Sequence, residues 1–129
     1  MITPFGVFLR KLRLDNGEIM KNMAEKLGVS SSFLSSVENG KKNIPIAWFD
    51  MICRLYNLNE KKREELRETM MLSQPSIKIC LTGLSKEKRS LAFSFKKNIK
   101  DMKKEDVDRL NKLFYKKYQR DYVKEERKE

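Results

Sequence analysis

The stretch from Met20 to Gly40, MKNMAEKLGVSSSFLSSVENG, decides how this chain folds. Met20, Met23, Ala24 and Leu27 recur at the spacing of a buried helix stripe, and Gly28 closes the run where a left-handed residue makes a sharp turn. Ser30 then caps a second, shorter helix over residues 30–38, with Phe33, Leu34 and Val37 inward and Asn39-Gly40 as its stop. The outward positions of that helix are nearly all small and polar. The spacing predicts a helix, a glycine turn and a helix, a pair that can lay its second member into a groove.

Working outward, Phe5, Phe8, Leu9 and Leu12 predict a first helix to about Leu14, capped by Thr3 with Pro4 in its first turn and ended by Asp15-Asn16-Gly17. Pro45 is read as opening a fourth helix carrying Ile46, Trp48, Phe49, Met51, Ile52, Leu55 and Tyr56. Asn59 caps a fifth, with Leu66, Met70 and Met71 inward and a charged exterior. Trp48 and the methionines, at this period, read as core.

Ser73-Gln74-Pro75-Ser76 is a break, which divides the chain into a domain over residues 1–72 and a C-terminal region over residues 73–129. Beyond it Ile77, Ile79 and Leu81 alternate with Lys78, Cys80 and Thr82, the period of a half-buried strand. Such a segment either pairs with its copy across a two-fold axis or lies as an extended linker over the core. Ser85 caps a helix bearing Leu91, Ala92, Phe95 and Ile99, and a further helix from about Lys104 bears Val107, Leu110, Leu113, Phe114 and Tyr118. These two are expected to form a helical hairpin that packs on the fifth helix or on a second subunit. From Arg120 a charged tail follows, with Tyr122 and Val123 its last apolar residues, and it is expected to fray. The predicted fold is all-α: five helices, then a short strand or extended segment, then the hairpin.

Composition narrows the function. With 29 Lys and Arg against 18 Asp and Glu in 129 residues, the net charge of +11 favours polyanionic partners. Residues 1–72 hold 12 basic and 9 acidic side chains and residues 73–129 hold 17 and 9, so the excess sits mainly in the C-terminal half. That half is a candidate for extra phosphate contacts or for RNA, the alternative being helices with lysines on their wet faces. Cys53 and Cys80, with no histidine to help, cannot supply a four-ligand zinc site or a disulfide framework, so no metal or cofactor is expected. The N-terminal MITPFGVFLRKLR has too short an apolar run for a signal peptide, and no run reaches the roughly 20 residues of a membrane span. A soluble, cytoplasmic protein is expected.

Residues 5 to about 58 resemble the Xre/Cro family of DNA-binding regulators, with the lambda-repressor-like domain of five helices. The resemblance rests on MAEKLGVSSSFLSSVENGKKNIP, Met23 to Pro45, where Ala24 lets the helices approach, Gly28 turns, Val29 plugs the turn, and Leu34 and Val37 anchor the second helix. It covers somewhat under half of the chain. It implies that Ser31, Ser32, Ser35 and Ser36 face the major groove, with Phe33 at the margin touching a thymine methyl or packing against the preceding helix. It implies phosphate contacts from Lys21 and Asn22 at the start of the second helix and from Asn39, Lys41, Lys42 and Asn43 after the third. It matches Arg13 and Glu38 to an internal ion pair tying the first helix to the end of the third. One departure stands out: the Thr or Ser cap and the Gln that clamp a phosphate in many members are Ile19 and Met20 here, with Asn16 or Asn22 left to compensate.

The resemblance implies a sequence-specific regulator of double-stranded DNA, in the form of a homodimeric repressor whose C-terminal half provides the pairing. The alternative is an antitoxin or inhibitor that binds a protein target through residues 77–118 and autoregulates through its helix-turn-helix. An enzyme is disfavoured, because the chain lacks histidine, a Gly-rich phosphate loop and any nucleophile-base pair.

Overall fold

Capping chemistry sets the helix starts. The Thr3 hydroxyl accepts from the Gly6 amide at 3.1 Å, Ser30 from Phe33 at 3.0 Å, Asn59 from Lys62 at 2.9 Å and Ser85 from Lys88 at 3.2 Å. The computed structural model describes residues 1–117. It contains α1 (Pro4–Asp15), α2 (Met20–Leu27), α3 (Ser31–Glu38), α4 (Trp48–Leu55), α5 (Glu60–Ser73), α6 (Lys86–Asn98) and α7 (Lys104–Lys117), with a 3₁₀ turn at Ile99–Asp101. Among the described residues there is no strand, and the all-helical class read from the sequence is the one observed. None of these helices is long and apolar enough to cross a membrane.

Among the described residues two units are present, Met1–Ile77 and residues 78–117. In the first, α1 packs on α5 and α3, while α2 packs on α3 and α4. Their inward stripes converge on Phe5, Leu9, Met23, Leu34, Val37, Ile52, Leu66 and Met70, all fully buried. Trp48 lies buried among them, 6.3 Å from the Phe5 ring and 6.1 Å from that of Phe33.

Several expectations change. The fourth helix starts at Trp48 and not at Pro45, because the Trp48 amide donates to Pro45 and that of Phe49 to Ile46, an i to i+3 turn that precedes the helix. Met71 is exposed, since α5 turns the face of Leu66, Met70 and Ser73 inward. Leu55 likewise lies toward solvent.

Across the boundary between the units, residues 77–81 form no helix or strand, and Ile77 and Ile79 are exposed. The alternating pattern left open a strand paired with its copy or an extended linker, and among the described residues no strand forms there. Helix α6 buries none of its residues. Arg89 donates to the Leu81 carbonyl at 2.7 Å, fastening the start of α6 to the segment before it. Tyr118, the end of the span expected to bind a protein partner, and the tail from Arg120 with Tyr122 and Val123 lie outside the described residues.

Candidate nucleic-acid interface

The turn between α2 and α3 is built by Gly28 at φ +73°, with the Val29 amide closing the helix end on the Ala24 carbonyl at 3.0 Å. Ala24 is 2% exposed, so the helices meet there with almost no side chain between them. Leu34 and Val37 hold α3 to the core. The opposite side carries Ser31 and Ser32, both exposed, and Ser35 and Ser36, both half-buried, as one continuous hydroxyl face. Phe33 belongs to neither side fully. Its ring meets the Trp48 edge, and Lys42 Nζ lies 5.8 Å from its centroid, so it packs toward α4 and the following loop.

The end of α3 is clamped. Arg13 Nη1 donates to Glu38 Oε2 at 2.5 Å and Nη2 to Oε1 at 3.2 Å, a two-point pair with side chains 8% and 1% exposed. Both the amide and the hydroxyl of Thr3 donate to the Glu38 carbonyl at 2.9 Å. The close approach of α1 requires Gly6: a Cβ there would stand 2.5 Å from the Glu38 carbonyl oxygen.

The loop beyond α3 is held from its far side by residues just before the second unit. Gln74 uses both ends of its amide on Ile44, accepting from the backbone N–H at 2.7 Å and donating to the carbonyl at 2.9 Å. Asn43 and Ser76 bond reciprocally, at 3.1 and 3.3 Å. Asn43 therefore has its side chain engaged, and Asn39 donates to the Ser35 carbonyl at 2.8 Å. The amides of Asn39 and Lys41 close α3 on Ser35 and Ser36. What the loop presents outward is the ammonium groups of Lys41 and Lys42 and the backbone amides of Lys42 and Asn43, which have no internal acceptor among the described residues.

At the other flank Lys21 and Asn22 are exposed at the start of α2. Ile19 has no acceptor in its side chain, so only the return half of a capping arrangement forms, with Asn22 Oδ1 accepting from the Ile19 amide at 2.9 Å. Asn16 is turned back on the Leu12 carbonyl at 2.8 Å. The entry to α2 is steadied by Glu18, which pairs with Lys26 and accepts from the Tyr56 hydroxyl at 2.6 Å. Burial alone would raise the Glu18 carboxyl. Hydrogen bonds from Lys26 and Tyr56, with the charges of Lys26 and Arg13, outweigh it and hold that carboxyl below its ordinary range. Burial, and then Glu18, push the Tyr56 phenol up. Cys53 is buried in the core, which raises its thiol, while Cys80 is exposed.

The capping residues and the Arg13–Glu38 pair were legible in the sequence, whereas the fasteners made by Thr3, Gln74 and Ser76 were not. Thr3 was legible as a cap, yet its second role on Glu38 depends on where α3 ends. Gln74 and Ser76 read as a linker because nothing local marks a side chain that satisfies a loop some 30 residues away.

Residues 4–66 match a family described as a helix-turn-helix domain. The chain therefore carries a helix-turn-helix domain, spanning α1 into α5. No curated protein and no solved structure matches the chain.

Proposed function

We propose that the protein is a sequence-specific regulator that binds double-stranded DNA, laying α3 in the major groove and acting as a homodimeric repressor of the Xre/Cro kind. The observation that carries the reading is the hydroxyl face of α3, open to solvent at Ser31 and Ser32 and half-buried at Ser35 and Ser36, while the rest of the helix is fixed by Leu34, Val37 and the Arg13–Glu38 pair. Ser31, Ser32, Ser35 and Ser36 would meet base edges, with Phe33 at the margin. Lys21, Asn22, Lys41 and Lys42, the outer amides of the loop, and Asn39 and Asn43 through whatever their internal bonds leave available would meet phosphates.

Serine lacks the bidentate fork of Arg or Gln, so one module discriminates weakly between bases. Two modules on half-sites about one helical turn apart multiply that discrimination, which is why a homodimer belongs to the reading. The exposed apolar side chains of α6, Leu91, Phe95 and Ile99, support pairing through the C-terminal unit. Repression follows if the bound dimer occludes polymerase.

Selection of bound duplexes from a random pool tests this directly. Enrichment of a pseudo-palindrome supports it, and loss of retention for every duplex at low ionic strength ends it. Lys41→Ala with Lys42→Ala should weaken all sequences alike and flatten the salt dependence by up to about 2 in the log–log slope per protomer. Ser32→Ala or Ser36→Ala should instead change which bases are preferred.

A further inference from the structure

Helix α6 has two unlike faces. Lys86, Arg89 and Lys96 fall along one side at three- and seven-residue steps with Lys97 beside them, and Lys100 in the 3₁₀ turn, four residues beyond Lys96, continues the row. All are exposed. At the centre of this side stands Phe93, 60% exposed. Leu91, Ala92 and Phe95 occupy the other side with Lys88 among them, and Ile99 follows at the start of the 3₁₀ turn. Glu87 lies off the basic row and Asp101 stands at its end, four residues beyond Lys97, yet among the described residues none of the five cations is in a salt bridge. This contrasts with α5, where Lys62 and Arg67 face Glu65 and Glu64, and with α7, where Lys104 and Arg109 face Asp108 and Asp106. A solvated helix laced by i, i+3 and i, i+4 pairs is what those two show; the basic side of α6 is not of that kind.

From this we infer that the basic face of α6 is a second binding site for the sugar-phosphate backbone of duplex DNA, distinct from the helix-turn-helix. The inference rests on the reading of the protein as a duplex-binding regulator. From Lys86 to Lys100 the row spans about 20 Å at 1.5 Å per residue. That length of duplex carries roughly 12 phosphates, of which the strand facing the helix presents enough to meet the row. Charge complementarity thus names the occupant. Phe93 fits the same surface, because the deoxyribose rings between phosphates offer apolar contact to a ring framed by cations. Such a contact reads no bases. It adds affinity on any sequence flanking the operator, and it supplies the phosphate attraction that the missing clamp at Ile19-Met20 does not.

The test uses the full chain and a mixed-sequence duplex of about 40 base pairs, with anisotropy titrations across salt from roughly 50 to 250 mM. Three proteins are compared with the wild type: Lys96→Gln/Lys97→Gln/Lys100→Gln, Phe93→Ala, and Lys41→Ala/Lys42→Ala. The triple variant is expected to lose about tenfold or more in affinity and to flatten the log–log salt slope by about 2 to 3. Phe93→Ala should lower affinity with its slope unchanged, since it removes no charge. These substitutions lie on solvent-exposed positions, and unchanged helix content by circular dichroism separates lost contacts from lost structure.

If the triple variant keeps the wild-type slope while Lys41→Ala/Lys42→Ala loses part of it, the α6 site is refuted and the helix-turn-helix reading stands. If no duplex binds at low salt, both fall. If single-stranded RNA of equal length binds more tightly than duplex DNA and the triple variant abolishes that preference, the face belongs to RNA and the inference is overturned.

Discussion

Glu38→Ala removes one half of a deeply buried ion pair. Arg13, 7% exposed in the intact protein, would lose both carboxylate bonds and keep Met23 Sδ at 3.3 Å as its hydrogen-bond partner, with the Glu18 carboxylate near enough to feel its charge. Stranding a buried charge in this way costs about 3 to 5 kcal/mol. A unit of the size of Met1–Ile77 has on the order of 4 to 12 kcal/mol in all, so the variant should stand near its unfolding threshold. Replacing both partners, as Arg13→Met with Glu38→Leu, removes the charge together with its need for a partner and should recover most of the loss. The single tryptophan makes the assay specific: Trp48 is buried against Phe5 and Phe33, so its fluorescence in a urea titration reports this unit alone. A loss below about 1 kcal/mol for Glu38→Ala, or a double variant no more stable than the single, would refute the view that the pair is a buried, mutually dependent clamp on α3.

Gly6→Ala should destabilise by about 1 to 3 kcal/mol although alanine is the better helix former, because its Cβ would meet the Glu38 carbonyl and force α1 from α3; a rise in the urea midpoint would contradict this. Gln74→Ala leaves the amide of Ile44, a residue 2% exposed, without its acceptor and should cost about 1 to 3 kcal/mol, with faster hydrogen exchange at Ile44 as the local signature. Because the Glu18 carboxyl is lowered in the folded state, its contribution is complete above the unfolded value of about 4.3 and is lost as pH falls through the lower folded one. Glu18→Gln should therefore be less stable than the wild type near neutrality, with the gap closing toward about pH 3, and a gap that stays constant over that range would count against the assignment.

Local chemistry made much of the first unit legible. Capping by Thr3, Ser30 and Asn59, the turn at Gly28 and the stripes of Phe5 to Leu12 and Met23 to Leu27 are properties of short windows, and short windows are what periodicity reads. Errors arose where a neighbour decides. Pro45 is a good first residue for a helix, but the 3₁₀-type turn over residues 45–49 delays α4 to Trp48. Ser73 looked like the start of a linker and is buried, its hydroxyl accepting from the Phe5 amide at 2.9 Å. The alternation from Ile77 to Thr82 is a pattern that only a partner strand could turn into a strand. At the candidate interface, the serine face followed from the same periodicity that placed Leu34 and Val37, whereas the engagement of Asn43 by Ser76 required the chain to return from a distance.

These long-range fasteners matter more here than they would beneath a stronger base code. A hydroxyl that accepts or donates equally well selects a base only through where it is held, so discrimination by a serine face depends on a fixed helix and a fixed distance to the backbone. The protein holds α3 at its end through Arg13 and Thr3, and it holds the loop carrying Lys41 and Lys42 through Gln74 and Ser76. On the proposed reading, loosening either fastener should blur preference among sequences before it abolishes binding, because phosphate attraction tolerates displacement and a single hydroxyl contact does not. Gln74→Ala, placed in the random-duplex selection, separates the two: a broadened consensus at nearly unchanged affinity for mixed-sequence DNA is the expected result. A parallel fall in both would mean that the bracket on Ile44 supports the fold alone and takes no part in reading.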